Sequence, residues 1–332
     1  MFHTHHRMQS FEEQSTNDQR GNEPVGNVRM IALTRPTIQA MFDIAGIAES
    51  VQSIELVAMP DYAVTTVALV NRAFVLRCAT GEAESRFLRE QAVLDELGSH
   101  GFVPRVIAIG RVPDREDTFF QIQSRIPGDT VYSLWLTASE QTRVQWITEL
   151  ATAIQLVHRH RLPAYRVGYY QSALDVPFSR WIDGHDAYQQ VLFDAAFARS
   201  PEAWERDLLL RAQRFCDDYR TALEYESGPG LGHGDLHPLN VLGTSEGMTG
   251  IIDWEWSLPG GVEPESDLDA LVRWALYPVD FGDDMIESPL NAGMFACVIP
   301  TLLDTFTGLT SIPRLATRMT IYQIEHELHH II

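Results

Sequence analysis

Asp235, Asn240 and Asp253 are the residues of this chain whose types and spacing point most directly to a reaction. They fall in two short segments, His233-Gly234-Asp235-Leu236-His237-Pro238-Leu239-Asn240 and Ile251-Ile252-Asp253-Trp254-Glu255. A carboxylate, an amide after four intervening residues and a second carboxylate beyond an apolar run are the parts phosphoryl transfer needs. One carboxylate accepts a hydroxyl proton, and the amide oxygen and the other carboxylate hold magnesium. Magnesium takes oxygen ligands in near-octahedral geometry and keeps several waters while bridging nucleotide phosphates, so two protein ligands suffice. Asp235 is therefore the candidate base, and Asn240 and Asp253 the candidate metal ligands.

The chain between Asn240 and Asp253 has to bring both ligands side by side. Apolar Val241-Leu242, a turn rich in glycine and serine at 243–247 and Thr249-Gly250-Ile251-Ile252 read as a β-hairpin whose ends do this. Asp235 lies on the loop before the hairpin, where Pro238 stiffens the backbone and Gly234 permits a tight turn. Trp254 and Trp256 are two apart, so a continuing strand would put both on one face for core packing and turn Asp253 and Glu255 toward the cleft.

At these residues the chain resembles the aminoglycoside phosphotransferase family, relatives of protein kinases that phosphorylate small-molecule hydroxyls and include macrolide and choline kinases. The resemblance rests on His-Gly-Asp, four residues and Asn, and on the Ile-Asp-Trp-Glu strand end. Downstream, Val262-Glu263-Pro264-Glu265-Ser266-Asp267-Leu268 is similar to the family's Gly-Asp-Pro-x-x-Asp-Leu-Ala, with Val-Glu for Gly-Asp and Asp269 for Ala. The resemblance implies an α+β, two-lobed protein-kinase-like fold with a small antiparallel-sheet N-lobe and a mainly helical C-lobe. It implies ATP or GTP with Mg2+, and a small-molecule hydroxyl substrate. Asp267 carries over as a structural or base-orienting carboxylate near the substrate, His233 as a brace of the loop, and His237 as a structural hydrogen-bonding neighbour.

The same resemblance asks for a basic residue on an upstream strand and a helix glutamate paired with it. Ala73-Phe74-Val75-Leu76-Arg77 fits the strand, and residues 82–97 fit the helix, with Phe87, Leu88, Leu94 and Leu97 at apolar helical spacing. All 25 basic residues are arginine, so the strand position falls to Arg77, whose planar guanidinium suits phosphate oxygens. Glu90 is its implied partner, against the alternative of a helix-surface pair with Arg86. The absence of lysine excludes a P-loop lysine, a Schiff-base enzyme and a pyridoxal phosphate anchor. Where the family often has a Gly-Gly-Ser-Asn type loop, residues 59–66 contain no glycine, which leaves the Thr65 and Thr66 hydroxyls to cradle phosphates. A relative that binds nucleotide without turning it over is therefore the second reading.

The formal charge of −20 argues against nucleic acid as a partner and permits a cationic acceptor such as an aminoglycoside. Carboxylates cluster at Glu255, Glu263, Glu265, Asp267 and Asp269, and again at Asp280, Asp283 and Asp284, forming either an amine-attracting face or a solvated one. Three scattered cysteines lack metal spacing and fit a reducing compartment; no apolar run suits a membrane span, so a cytoplasmic protein is expected. Residues 1–28 read as a disordered arm, 29–125 as the nucleotide-binding N-lobe and 126–332 as the C-lobe, with Ile126-Pro127-Gly128 resembling the family's hinge. Strands are expected at 53–57, 64–70, 74–78 and finally 119–124, and helices at 36–48 and 139–160, with an aromatic-rich, mostly helical stretch over 164–228. His326-Glu327-Leu328-His329-His330 satisfies the zinc pattern H-E-x-x-H, a remote metalloprotease alternative that still needs a third ligand.

Overall fold

Short strands with side chains alternating between two faces build a five-stranded antiparallel sheet in the first part of the chain. The computed structural model describes residues 33–57, 65–81, 83–98, 100–168, 174, 176–257, 260–278 and 293–331. The expected arm at 1–28, the glycine-free loop at 59–64 and the carboxylates at 280, 283 and 284 lie outside the described residues. The strands are β1 (Ile54–Leu56), β2 (Thr65–Val70), β3 (Phe74–Thr80), β4 (Val106–Arg111) and β5 (Thr118–Ser124), in the spatial order β1-β2-β3-β5-β4.

Each face of the sheet is covered by a helix. Helix α1 (Arg35–Ile44) starts with a proline in its first turn and a Thr34 side chain accepting from the Thr37 amide. It buries Ile38, Met41 and Phe42 against Val70, Leu76, Cys78 and Ile122. Arg77 lies between Leu76 and Cys78 on β3, so its side chain points to the opposite face, where α2 (Ala83–Glu96) packs. On α2 the buried stripe is Phe87, Glu90, Val93 and Leu94, continued by Leu97 just past its end, whereas Leu88 is 50% exposed and does not belong to it. A glutamate inside an apolar stripe needs a partner across the interface.

Strand β4 was not foreseen. Five of its six residues are half-buried rather than alternating, and it is an edge strand whose register shifts between Val106 and Ala108, so it carries no period-two signal.

The crossing to the second lobe turns at Gly128, with φ +114 and no room for a side chain: an added Cβ would sit 2.6 Å from the Gly243 carbonyl oxygen. Beyond it, β6 (Asp129–Thr130), β7 (Val241–Thr244) and β8 (Gly247–Ile251) form a small antiparallel sheet. Helices follow as α3 (Val131–Leu134), α4 (Glu140–Val157), α5 (Trp181–Arg199), α6 (Ala203–Tyr219), α7 (Pro264–Asp267), α8 (Asp269–Leu276), α9 (Val298–Thr305) and α10 (Leu315–Ile331). The face of α4 bearing Trp146, Ile147, Leu150, Ala151, Ile154 and Val157 packs under the β7–β8 hairpin with Trp254 and Trp274. A second core joins α5, α6 and α10 through Trp181, Tyr188, Leu192, Ile321 and Tyr322, which absorbs many of the expected aromatics; Trp204 is 67% exposed. The three cysteines are free, and burial pushes the Cys78 and Cys216 thiols up to about 12. Among the described residues no helix is long and apolar enough to cross a membrane.

Candidate active site

The loop carrying Asp235 is held from every side by its own backbone and by buried partners. Gly234 has φ +83, and a Cβ there would lie 2.3 Å from the Trp256 carbonyl oxygen, so only glycine fits. His233 is fully buried and accepts the Asp235 N–H at Nδ1 (3.2 Å), which puts its proton on Nε2, donated to the Ile252 carbonyl at 2.9 Å. The His233 ring also packs on Trp254, 4.5 Å between centroids. His233 thus ties the loop to the end of β8. His237 Nε2 lies 3.2 Å from Asp235 Oδ2. The Asn240 amide nitrogen donates to the Asp235 carbonyl at 2.9 Å and to Oδ2 at 3.2 Å.

The chain leaves β8 at Ile251 and does not continue as a strand. Asp253 takes the left-handed conformation, φ 65 and ψ 57, and a 3₁₀ turn follows over Trp254–Trp256. This corrects the expected two-faced arrangement: Trp254 is buried in the core, while Trp256 is only partly buried and Glu255 turns inward. An aspartate costs less here than most residues, because its short polar side chain tolerates this region.

That turn delivers two carboxylates to one guanidinium. Arg77 Nη1 donates to Glu90 Oε2 at 2.6 Å, and Nη2 donates to Asp253 Oδ1 at 3.0 Å and Glu255 Oε2 at 2.6 Å. The Glu90 pairing is the one implied by the resemblance; the alternative partner, Arg86, goes instead to Glu255 Oε1 at 3.0 Å. Glu90, fully buried, also accepts the Trp254 backbone N–H at 3.1 Å. Burial disfavours the charge on Arg77, but Glu90, Asp253 and Glu255 outweigh it and raise its pKa. The Asp253 carboxyl is raised from its ordinary value, by burial first and by the charges of Glu90 and Asp235, with Arg77 and His233 opposing.

Asp267 belongs to the frame of the loop. Its Oδ2 accepts the His233 amide at 2.9 Å and meets His158 Nε2 at 3.0 Å, and its Oδ1 accepts the Gly234 amide at 2.9 Å. Burial alone would raise this carboxyl; the hydrogen bond and charge of His158, with His233, outweigh it and hold it lower. A depressed folded-state value gives stability that is complete above the ordinary 3.8 and lost as pH falls through the lower folded value. Asp267→Asn is therefore expected to lower stability by about 2 kcal/mol at neutral pH, with the gap to the parent closing below about pH 4, as read by thermal unfolding across that range. His158, at the end of α4, was not foreseen in this role; its partner is 109 residues away.

The rest of the acidic run is also internal. Glu263 receives the Tyr165 hydroxyl and the Ser227 and Gly228 amides, Glu265 pairs with fully buried Arg318, and Asp269 pairs with Arg273 at 2.9 Å. The five carboxylates from Glu255 to Asp269 are thus buried and partnered, in place of an open amine-attracting face. Thr65 and Thr66 sit in β2 opposite Ala79 and Cys78, at the mouth of the loop outside the described residues. In the H-E-x-x-H segment of α10, His326 Nε2 and His330 Nε2 are 2.8 Å apart, and Glu327 is exposed. Burial, Arg273 and the neighbouring histidines push His326 down to about 3. Among the described residues no group of three or more His, Cys, Asp or Glu side chains could hold a metal ion, so the zinc pattern lacks the third ligand it requires.

Asn240 and Asp253 fit magnesium by the chemistry of their donors. Asn240 turns its amide nitrogen to Asp235, which leaves Oδ1 as the atom it would offer a cation, and the Asp253 side chain is 35% exposed. Asp253 is pressed by the charges of Glu90 and Asp235, an excess that a hard cation offsets.

The fold agrees with that of known proteins. A family model described as the phosphotransferase enzyme family matches residues 59–262, a span that holds Arg77, Glu90, Asp235, Asn240 and Asp253. No curated protein sequence matches the chain significantly. Its structure is similar to that of a thermostable mutant of aminoglycoside phosphotransferase APH(4)-Ia in apo form, with TM-score 0.56 and 15% identity over 90% of this chain and 98% of that one. It is similar to the GDP complex of aminoglycoside 2'-phosphotransferase-IIIa, TM-score 0.56 and 16% identity over 90% of this chain and 100% of that one. A streptomycin-ATP-APH(2")-IIa ternary complex gives TM-score 0.55 and 14% identity over 90% and 92%. The kinase-like fold is common to all three, and on the extent of the family match the chain belongs to the phosphotransferase enzyme family.

Proposed function

We propose that this chain transfers the terminal phosphoryl group of ATP or GTP to a hydroxyl of a small-molecule acceptor. The observation that carries the reading is the joint placement of Asp235 and Asn240: the carboxylate lines a cavity open to an acceptor while hydrogen-bonded to one member of the metal pair. Asp235 orients the acceptor hydroxyl and takes its proton as the oxygen attacks the terminal phosphorus. Asn240 and Asp253 hold Mg2+, which when bound offsets charge on the phosphate oxygens. Arg77, braced by Glu90, keeps the guanidinium beside the phosphates, so most of the rate gain comes from positioning and charge neutralisation. His233 and Asp267 act through the loop, fixing where Asp235 stands.

The test is nucleotide consumption with ATP and GTP, magnesium present or chelated, against a panel of hydroxyl acceptors. Asp235→Asn is expected to cut kcat on the order of a hundredfold or more, the scale of lost general-base help, with little change in nucleotide affinity. Undiminished turnover in that variant would remove Asp235 from the role of base.

A further inference from the structure

Beside Asp235, among the loop and helices α5, α8 and α10, lies a cavity of about 50 Å³. One water needs roughly 10 to 15 Å³ by this kind of measure, so the enclosed part takes one edge of an acceptor, the rest of which lies toward its open side. Its lining includes Arg166, Trp181, His185, Asp269, Tyr322 and Glu325.

Most carboxylates around this cavity already have partners within the fold. Besides Asp235, its carboxylates are Asp267 with His158, Asp269 with Arg273 at 2.9 Å, and Glu325 with His185 Nδ1 at 2.7 Å and Gln189 at 2.7 Å. Two arginines, Arg166 and Arg273, line the same space. A polycation entering here meets two guanidinium groups, and carboxylates already engaged by His158, Arg273, His185 and Gln189.

Several polar atoms nevertheless lack partners. His185 and Asp269 are 3% and 1% exposed, and His185 Nε2, Asp269 Oδ1 and Arg166 Nε are buried without a hydrogen-bond partner among the described residues. Buried polar atoms ordinarily have one. His185 Nδ1 faces the Glu325 carboxylate and carries the proton, so Nε2 offers a lone pair; Asp269 Oδ1 also accepts, and Arg166 Nε donates. A mixed set of acceptors and a donor suits hydroxyl groups, which do both, better than ammonium groups, which only donate. Trp181 and Tyr322 add apolar surface for the C–H face of a ring.

We propose that the acceptor is a small neutral polyol, a monosaccharide or cyclitol, whose unreacted hydroxyls are held by His185 Nε2, Asp269 Oδ1 and Arg166 Nε while another reaches Asp235. This rests on the reading of Asp235 as the base. One hydroxyl oxygen forms a bond to the terminal phosphorus as the bond from that phosphorus to the bridging oxygen of the nucleoside diphosphate breaks, and the hydroxyl proton passes to Asp235.

The experiment is Mg2+-dependent nucleotide consumption by the full chain with D-ribose, D-glucose and myo-inositol on one side and kanamycin and streptomycin on the other, with Asp235→Asn as blank. At least one polyol is expected to be turned over with a kcat/KM about tenfold or more above either aminoglycoside. For that polyol, Asp269→Asn is expected to raise KM about tenfold with a much smaller change in kcat, the pattern of a lost binding hydrogen bond. Ala270→Leu, which fills the cavity and leaves its polar groups in place, is expected to raise KM at least as much. Asp235-dependent turnover of the aminoglycosides alone, or polyol turnover indifferent to both substitutions, overturns the polyol assignment and leaves the kinase reading intact. No Asp235-dependent turnover with any of the five probes counts against both.

Discussion

Asp253→Ala is expected to lower phosphoryl transfer by about a thousandfold while the protein stays folded, the scale of losing a ligand of the cation that would offset charge at the reacting phosphate. The fold survives because Glu90 and Glu255 still hold Arg77, at 2.6 Å each. Alanine adds strain of about 1 kcal/mol or more at φ 65, which aspartate tolerates better. Asp253→Asn separates the two effects: it keeps the turn and removes the charge, so its activity should fall nearly as far as that of the alanine variant while its stability stays close to the parent. Steady-state kcat at saturating nucleotide and magnesium, beside thermal unfolding, reads both. Full activity in either variant would take Asp253 out of the metal pair.

Arg77→Met should be the most destabilising single change in the site. It leaves the carboxylates of Glu90, Glu255 and Asp253, exposed to 0%, 7% and 35% as side chains, without the cation that joins them. Removing one partner of a buried ion pair costs about 3–5 kcal/mol because the remaining charge stays desolvated. Arg77→Lys should recover only part of this, since an ammonium is a single point where the guanidinium spreads donors toward three acids. Urea unfolding of the three proteins checks the ranking. A methionine variant as stable as the parent would mean that the cluster adds nothing to the fold, and that Glu90 and Glu255 have found other partners.

The parts of the site that lay close together in sequence were the legible ones. Asp235, Asn240 and Asp253 are set by one loop and one hairpin, and a hairpin fixes the relative position of its ends. Glu90, thirteen residues from Arg77, was legible through the resemblance to the family's helix glutamate. Partnerships over long separations left no local trace: Arg86 with Glu255 spans 169 residues, and His158 with Asp267 spans 109. The acidic run misled for the same reason. Composition gives the number of carboxylates, but their partners come from Arg77, Arg318, Tyr165 and distant backbone amides that only the folded chain brings near. Backbone conformation was equally hidden, and the left-handed turn at Asp253 kept Trp254 in the core but took Trp256 partly out of it and turned Glu255 inward.

The double use of Glu90 has a consequence for how the molecule opens. One carboxylate oxygen holds Arg77 on β3 and the other holds the Trp254 amide at the end of the hairpin, so the lobes cannot part without breaking the Glu90–Trp254 bond and the two that Arg77 makes to Asp253 and Glu255. Amide hydrogen exchange at Trp254 therefore reports the seating of α2 on the sheet, although the residue lies in a different lobe. Its protection should rise and fall with that of β3, which would make the sheet, α2 and the turn at Asp253 one cooperative unit of unfolding.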